Sequence, residues 1–151
     1  MKIRQATLSD LSYIVSHWEG MFRDMQTPAD FPAMAGAFGK WLTTAIPRGD
    51  YIGFLAETDQ GTVVACAGVV VFPWPPGPHA MDPRCACVFN VYTDHSHRMQ
   101  GLATRLMDAA HSWCRAQGIE RVILNASRFG LPIYESMGYV VVDEPMMRLK
   151  L

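Results

Sequence analysis

The spacing of apolar residues predicts two amphipathic helices near the start of the chain. In the first, apolar side chains recur at the three- and four-residue intervals of one helical face, at Leu11, Ile14, Val15, Trp18, Phe22 and Met25. Thr7 and Asp10 precede this helix as a capping-box pair with Asp in place of Glu. The second predicted helix has Asp30 as its N-cap and tolerates Pro32 in its first turn. The chain therefore begins with a helical pair.

Runs of β-branched and other apolar residues predict the strands of a sheet. The first four are expected over residues 1–6, 51–58, 62–72 and 85–93, the second and third joined by a hairpin turn that contains Gly61. A fifth strand is expected over 121–126 and a final pair over 139–142 and 146–149. The third strand is rich in valine, which is typical of a strand buried on both faces.

Two further helices complete the predicted fold. One spans residues 101–117 with Gly118 as its C-cap, and a short one spans 128–137. The order is therefore β-α-α-β-β-β-α-β-α-β-β, in which the 17-residue helix is a crossover that places its two flanking strands parallel. We predict one α/β domain over 1–151, with a mixed, largely antiparallel sheet, a central splayed parallel pair and helices on both faces.

Charge and composition exclude several classes of partner. The net charge is −1 and the basic residues are scattered, whereas nucleic acids and anionic membranes bind clustered Lys and Arg. The longest apolar run, residues 63–72, is too short to cross a membrane, and the N-terminus resembles no targeting segment. We therefore expect a cytoplasmic protein that binds neither nucleic acid nor membrane.

The cysteines do not predict a metal site. Cys85 and Cys87 lie on one side of a predicted strand, and His95 and His97 follow it. The two histidines lie beyond the end of that strand, which argues against a shared zinc ion. None of the four cysteines forms a CxxC pair, so reduced and partly buried thiols are expected.

The candidate functional residues lie where the fourth strand leads into the long helix. Gly101 turns the chain into that helix, whose first N–H groups have no internal partner and carry the positive end of the helix dipole. Such a terminus can bind phosphate, and Gly101 and Ala103 add no bulky side chain. Arg98 and Arg105 supply positive charge nearby. The residues alone support an anion site, without a Walker loop or a three-glycine dinucleotide fingerprint.

Two motifs resemble those of the GNAT acetyltransferases. Arg98-Met-Gln-Gly101-Leu-Ala103 resembles the Q/R-x-x-G-x-G/A loop of that family, and residues 91–98 resemble its fourth strand and the approach to the loop. The segment from Leu124 to Tyr139 is similar to the fifth strand and the "LYExxGF" helix of the family. The order of elements matches over essentially the whole chain, so the resemblance implies the GNAT fold and use of acetyl-CoA as co-substrate.

The resemblance assigns roles to residues around the loop. The CoA pyrophosphate would lie on the backbone N–H groups of Met99, Gln100, Gly101, Leu102, Ala103 and Thr104, next to Arg98. The pantetheine arm would bind the main chain of Val91 and Thr93 as an added strand, and Tyr92 between them is also expected among the cofactor-binding residues. Ser127 takes the position at which many members have an Asn that contacts the pantetheine, which leaves that contact an open question.

Tyr134 falls on the position of the family's general acid, where a phenol can protonate the departing CoA thiolate. The general base stays open. The predicted fourth strand has no Asp or Glu, so a strand carboxylate cannot be carried over from the family. Asp94, His95 and His97 follow the strand and are candidates, as is a water chain.

The resemblance thus implies an N-acetyltransferase that acetylates a primary amine by direct attack in a ternary complex. A non-catalytic acyl-CoA-binding module of the same fold is the alternative, and a phosphate-binding domain for another nucleotide is a third possibility. The acceptor would be a small-molecule or peptide amine, and a homodimer is a common assembly in the family. Several side chains indicate a partly apolar acceptor pocket: Trp18, Met21, Phe22, Met25, Phe38, Trp41 and Trp74.

Overall fold

The computed structural model describes residues 1–143 and 146–151. The strands are β1 (Lys2–Gln5), β2 (Tyr51–Glu57), β3 (Val63–Pro73), β4 (Arg84–Thr93) and β5 (Val122–Leu124). The helices are α1 (Leu11–Asp24), α2 (Phe31–Arg48), α3 (Leu102–Ala116) and α4 (Leu131–Ser136). Up to α4, the order of strands and helices is the one that the sequence predicts.

The five strands lie in chain order in one sheet. The first three pairings are antiparallel, and β5 is parallel to β4 because α3 crosses over between them. The parallel pairing is short, running from Ala86 opposite Val122 to Val88 opposite Leu124. These findings confirm the mixed α/β sheet. The sequence predicted that the parallel pair would lie in the centre of the sheet. It lies at the edge instead, since β5 is the last strand of the described sheet.

Helices cover both faces of the sheet, and each face has its own core. The α1 and α2 face buries Ile14, Leu42, Ala45, Tyr51, Leu55 and Cys66. The α3 face buries Ile52, Phe54, Val69, Leu102, Leu106 and Ala110. Each fully buried Leu or Ile contributes about 1.5–3 kcal/mol relative to an exposed one. The sheet is thus the rigid middle layer on which the candidate site is built.

The predicted helix starts are capped. Asp30 accepts a hydrogen bond from the Ala33 N–H at 3.1 Å, and Pro32 lies in the first turn of α2. The Asp10 carboxylate accepts from the Thr7 N–H at 2.9 Å, although residues 8–10 form a 3-10 turn and α1 begins at Leu11. The guanidinium of Arg4 binds this carboxylate at 2.8 Å and lowers its pKa to about 2.

The prediction of a final strand pair was wrong. Residues 139–142 and 146–149 form no strand, and Val140, Val141 and Val142 are 67–81% exposed. β-propensity reflects how a side chain fits a pleated, half-buried surface, and no described strand pairs with this segment. The strand β5 is also shorter than the predicted 121–126, and α4 is shorter than the predicted 128–137.

Two other predictions concern composition. The four cysteines are free; Cys66, Cys85 and Cys114 are buried and Cys87 is partly exposed, as expected of partly buried thiols. Within the described part of the chain, no helix has the length and apolar character needed to span a membrane.

Candidate functional site

The strand β4 contains a β-bulge at the point where it separates from β5. The register against β3 shifts there, so that Asn90 and Val91 together face the single residue Ala67. Asn90 has a φ of +37°, a conformation that Asn adopts more readily than most residues. A bulge of this kind redirects the side chains that follow it, and bulges are frequent next to functional sites.

Buried polar contacts hold the bulge in place. The Tyr51 hydroxyl donates to Asn90 Oδ1 at 3.2 Å, and Asn90 Nδ2 donates to Cys66 Sγ at 3.4 Å. The Cys66 thiol in turn donates to the Asn90 carbonyl, and burial raises its pKa to about 12, which keeps it a thiol. Gly68 makes room for this network, since a Cβ there would overlap the Tyr51 hydroxyl and Asn90 Oδ1. The backbone distortion is therefore built into the core.

Beyond the bulge, β4 has an open edge on the β5 side. The last parallel pair is Val88 with Leu124, and no described residue pairs with β4 along that edge beyond this point. The Asp94 N–H donates to the Val64 carbonyl of β3, so the backbone groups of Thr93 point the opposite way. Because alternate residues share a direction, Val91 points the same way. We call this gap between residues 89–93 and β5 the cleft.

The turn into α3 leaves a set of free N–H groups at one end of the cleft. Met99 and Gly101 have left-handed φ values of +60° and +72°, and a Cβ at Gly101 would have no atom within 4 Å. The first intrahelical bond runs from the Arg105 N–H to the Gly101 carbonyl. The N–H groups of residues 102–104 therefore have no helical partner and offer an anion site at the positive end of α3.

The charged residue nearest this turn is already paired. Arg98 Nε donates to the Thr93 carbonyl at 2.9 Å, and its guanidinium also pairs with Asp24 and lies 5.5 Å from the Tyr92 ring centre. The second oxygen of Asp24 lies 3.1 Å from His95 Nε2. Asp24 is the last residue of α1, so these contacts tie the loop to that helix. Arg98 thus positions the loop in this structure.

Two other predicted residues also have local partners. Arg105 donates to the Met1 carbonyl at 3.1 Å. Ser127 Oγ accepts from the Gly130 N–H at 3.2 Å and so supports the turn that precedes α4. The free backbone amides are consequently the feature of this end of the cleft that is available to an anion.

Tyr134 lies on α4, the helix that follows β5 in the chain. Its ring packs over Gly130 and lies 5.9 Å from the ring of Tyr139. Burial raises the pKa of the Tyr134 phenol, so the group is protonated at neutral pH and can donate a proton. The neighbouring Tyr139 hydroxyl is bound to His111 Nε2 at 2.8 Å. No described residue hydrogen-bonds the Tyr134 phenol.

The three candidate bases have different partners in the structure. His95 is bound to Asp24, and His97 Nδ1 lies 2.9 Å from Ser96 Oγ. Asp94 is partly exposed and lies 3.5 Å from Nε2 of a residue that the sequence did not single out, His17. Within the described part of the chain, no three His, Cys, Asp or Glu side chains are grouped to hold a metal ion.

His17 is 5% exposed, and its Nδ1 is buried without a hydrogen-bond partner. Burial lowers its pKa, against the opposing effect of Asp94, so the ring is neutral at pH 7. It lies 5.4 Å from the Tyr92 ring, and these three side chains line an open groove of about 700 Å³ along α1 and α2. The sequence did contain a signal for this residue, because His17 is a histidine on the apolar face of α1, between Ile14 and Trp18.

A second cavity lies on the α1 and α2 face beside the bulge. It has a volume of about 270 Å³ and is lined by Trp18, Phe38, Trp41, Tyr51, Val70 and Phe89, which we call the aromatic pocket. The Trp18 and Phe38 rings stack at 4.4 Å, and Trp41 meets Tyr51 edge-on at 6.0 Å. Trp74, also expected near an acceptor, packs instead on Phe72 and the Arg121 guanidinium.

The chain is similar to known acetyltransferases over most of its length. The model of the acetyltransferase (GNAT) family matches residues 14–139. A crystal structure of a GCN5-related N-acetyltransferase from Ralstonia eutropha JMP134 is 31% identical and superposes with a TM-score of 0.91, covering 98% of this chain and 97% of that one. No curated protein sequence matches significantly.

Two more distant structures share the fold. A predicted acetyltransferase with acetyl-CoA from Clostridium acetobutylicum is 22% identical, with a TM-score of 0.90 over 98% of this chain and 95% of that one. Glucosamine-6-phosphate N-acetyltransferase from Arabidopsis thaliana is 19% identical, with a TM-score of 0.72 over 98% and 97%. The fold therefore recurs in proteins that share little sequence with this chain.

Proposed function

This chain belongs to the acetyltransferase (GNAT) family, and on that premise we propose that it transfers an acetyl group from acetyl-CoA to a primary amine. The observation that carries the proposal is the cleft, which ends at the free amides of α3. An anion site of backbone N–H groups next to an open strand edge suits a cofactor that has a diphosphate and an amide-containing arm.

In this proposal the backbone does most of the binding. The N–H groups of residues 102–104 hold the diphosphate, with those of Met99, Gln100 and Gly101 completing the turn around it. The main-chain groups of Val91 and the N–H of Thr93 pair with the pantetheine amides, whereas Tyr92 between them directs its main-chain groups towards β3 and the Thr93 carbonyl is bound by Arg98. The thioester then lies at the level of the bulge, and Ser127 keeps its local role in the turn before α4. Support comes from the absence of any atom within 4 Å of a Cβ at Gly101, which leaves space for the diphosphate.

The amine attacks the thioester carbonyl carbon in a ternary complex, and the carbon–sulfur bond breaks as the amide bond forms. Tyr134 donates its phenolic proton to the departing CoA thiolate. Its raised pKa keeps that proton in place at neutral pH, and the lack of a described hydrogen-bond partner leaves the phenol free to bind the sulfur. The phenol then regains a proton from solvent or from the attacking nitrogen, which loses its second proton as the amide forms.

The attacking amine must lose a proton before or during attack, since alkylammonium groups have a pKa of about 10. We propose that Asp94, with neutral His17 beside it at 3.5 Å, receives this proton through a chain of water molecules. His95 and His97 are less suited, because one is bound to Asp24 and the other to Ser96.

Two measurements on the purified protein test the proposal. Isothermal titration calorimetry with acetyl-CoA should show binding, and a thiol assay with a panel of primary amines should show release of free CoA. Binding without turnover for every amine would contradict the enzymatic proposal and favour the non-catalytic acyl-CoA-binding module. Equal affinity for acetyl-CoA and for ATP would contradict both, because it would mean that the cleft holds phosphates without regard to the pantetheine arm.

A further inference from the structure

The aromatic pocket adjoins the cleft at the bulge. Phe89 is the first β4 residue beyond the last β4–β5 pair, and its side chain lines the pocket. Tyr51 also lines the pocket, while its hydroxyl binds Asn90 of the bulge. Two of the six lining residues therefore connect the pocket to the point at which the proposed thioester lies. A molecule held in the pocket would have one end close to that point.

The chemistry of the lining selects an apolar group. Five of the six side chains are aromatic and none of the six is charged. The polar atom of Tyr51 is turned away into its bond with Asn90. Trp41 and Phe89 remain 42% and 46% exposed, which leaves apolar surface that a ligand could cover. A phosphate or a hydroxyl-rich group would lose its hydration here without gaining a partner from these residues.

The volume limits the size of that group. Pockets for drug-sized ligands enclose about 300–1,000 Å³, and the aromatic pocket encloses about 270 Å³. One aromatic ring, or a branched aliphatic group of similar size, fits this space and can contact the aromatic side chains that line it.

Resting on the proposed function, we propose that the acceptor is a small primary amine whose aromatic or branched apolar group binds in the aromatic pocket. A short linker then carries the amine nitrogen past Phe89 to the thioester. Polyamines and amino-sugar phosphates are poor acceptors under this proposal, because the lining offers their charged groups no counter-ion. The structure thereby narrows the acceptor to a chemical class that the family membership leaves open.

A pair of amines that differ only by the ring tests the proposal. With saturating acetyl-CoA, kcat/KM for phenethylamine should exceed that for ethylamine by about 10²-fold, the discrimination typical of an apolar pocket. Direct calorimetric titration of the protein with phenethylamine and with ethylamine gives a second readout that does not depend on turnover. Phenethylamine should bind measurably tighter in that titration.

Two exposed tryptophans form a matched pair of variants. Trp41 lines the pocket, whereas Trp74 is 43% exposed in the proline-rich loop and lines no part of it. Trp41→Ala should reduce the preference for phenethylamine by about tenfold, while Trp74→Ala should leave it unchanged. Trp41→Phe should restore most of the preference, which separates loss of the ring from a fault in folding.

The outcomes distinguish this inference from the proposed function. Tight binding of phenethylamine that depends on Trp41, without turnover, would support the pocket and contradict the acetyl transfer. Turnover with equal kcat/KM for the two amines would overturn the pocket and leave the acetyl transfer standing. Equal effects of Trp41→Ala and Trp74→Ala, or no difference between the two amines in binding and in turnover, would also overturn it.

Discussion

The cleft and the aromatic pocket lie side by side on β4 but are built from different parts of the chain. The cleft offers backbone groups, namely the open edge after the bulge and the first N–H groups of α3. The aromatic pocket offers side chains from α1, α2 and three strands. A backbone site is set by a few local conformations such as that of Gly101, whereas a side-chain pocket depends on how distant elements pack.

This difference separates the two halves of the proposed reaction. Backbone amides bind any ligand that has the right diphosphate and arm, so the cofactor half tolerates substitution of most surrounding side chains. The acceptor half changes with each ring that lines the pocket. Variants in the cleft should consequently change acetyl-CoA binding or kcat. Variants in the aromatic pocket should change which amine is preferred.

The largest expected effect is at Tyr134, the side chain on which the chemistry of the cleft depends. Tyr134→Phe should lower kcat by about 10²- to 10⁴-fold and leave the Kd for acetyl-CoA nearly unchanged, because only proton donation is lost. Steady-state kinetics and calorimetry measure the two quantities. Tyr139→Phe is the matched control, since Tyr139 is half-buried beside it and its hydroxyl is bound to His111. Unchanged kcat in Tyr134→Phe would remove the phenol from the mechanism.

The second largest effect is expected at Gly101, because the anion site of the cleft is formed by backbone groups. Gly101→Val should weaken acetyl-CoA binding by about 10²-fold or more, since a branched side chain fills the anion site and strains a φ of +72°. Gly61→Val is the control, because Gly61 has a φ of +83° and open space in the β2–β3 turn. Both variants should lose comparable stability in thermal unfolding. Equal acetyl-CoA affinity in the two would contradict the site.

The smallest effect concerns His17, which borders the open groove along α1. Its pKa is lowered by burial, so below about pH 6.5 the unfolded chain binds a proton that the folded one does not. The free energy of unfolding should therefore fall as pH falls through this range, by at most about 1.4 kcal/mol per pH unit from this residue. His17→Gln should remove that part of the slope in urea titrations, and His79→Gln, at an exposed loop position, should not. Parallel slopes in wild type and His17→Gln would contradict a buried neutral ring.

Local patterns predicted most of the fold. The apolar spacing of α1, the cap at Asp30 and the turn at Gly101 depend on residues that are close in sequence, and the structure contains all three. The final strand pair failed for the opposite reason. Residues 140–142 have the β-branched composition of a strand, but a strand also needs a paired neighbour, and no sequence pattern shows whether one is available.

The site divides in the same way. Gly101 and the free amides of α3 could be located from the motif, because both follow from one turn. The pairing of Arg98 with Asp24 and of His17 with Asp94 could not, since each joins α1 to the loop after β4. Trp18, Phe38 and Trp41 were expected near an acceptor, but Trp74 proved to lie elsewhere because its loop packs on Phe72 and Arg121.

A crystal structure of the protein with acetyl-CoA tests the central claim most directly. Diphosphate oxygens should lie within about 2.7–3.2 Å of the N–H groups of residues 102–104, with the thioester in the gap beside Asn90. A ligand bound elsewhere, with the start of α3 unoccupied and the edge of β4 still open, would contradict it.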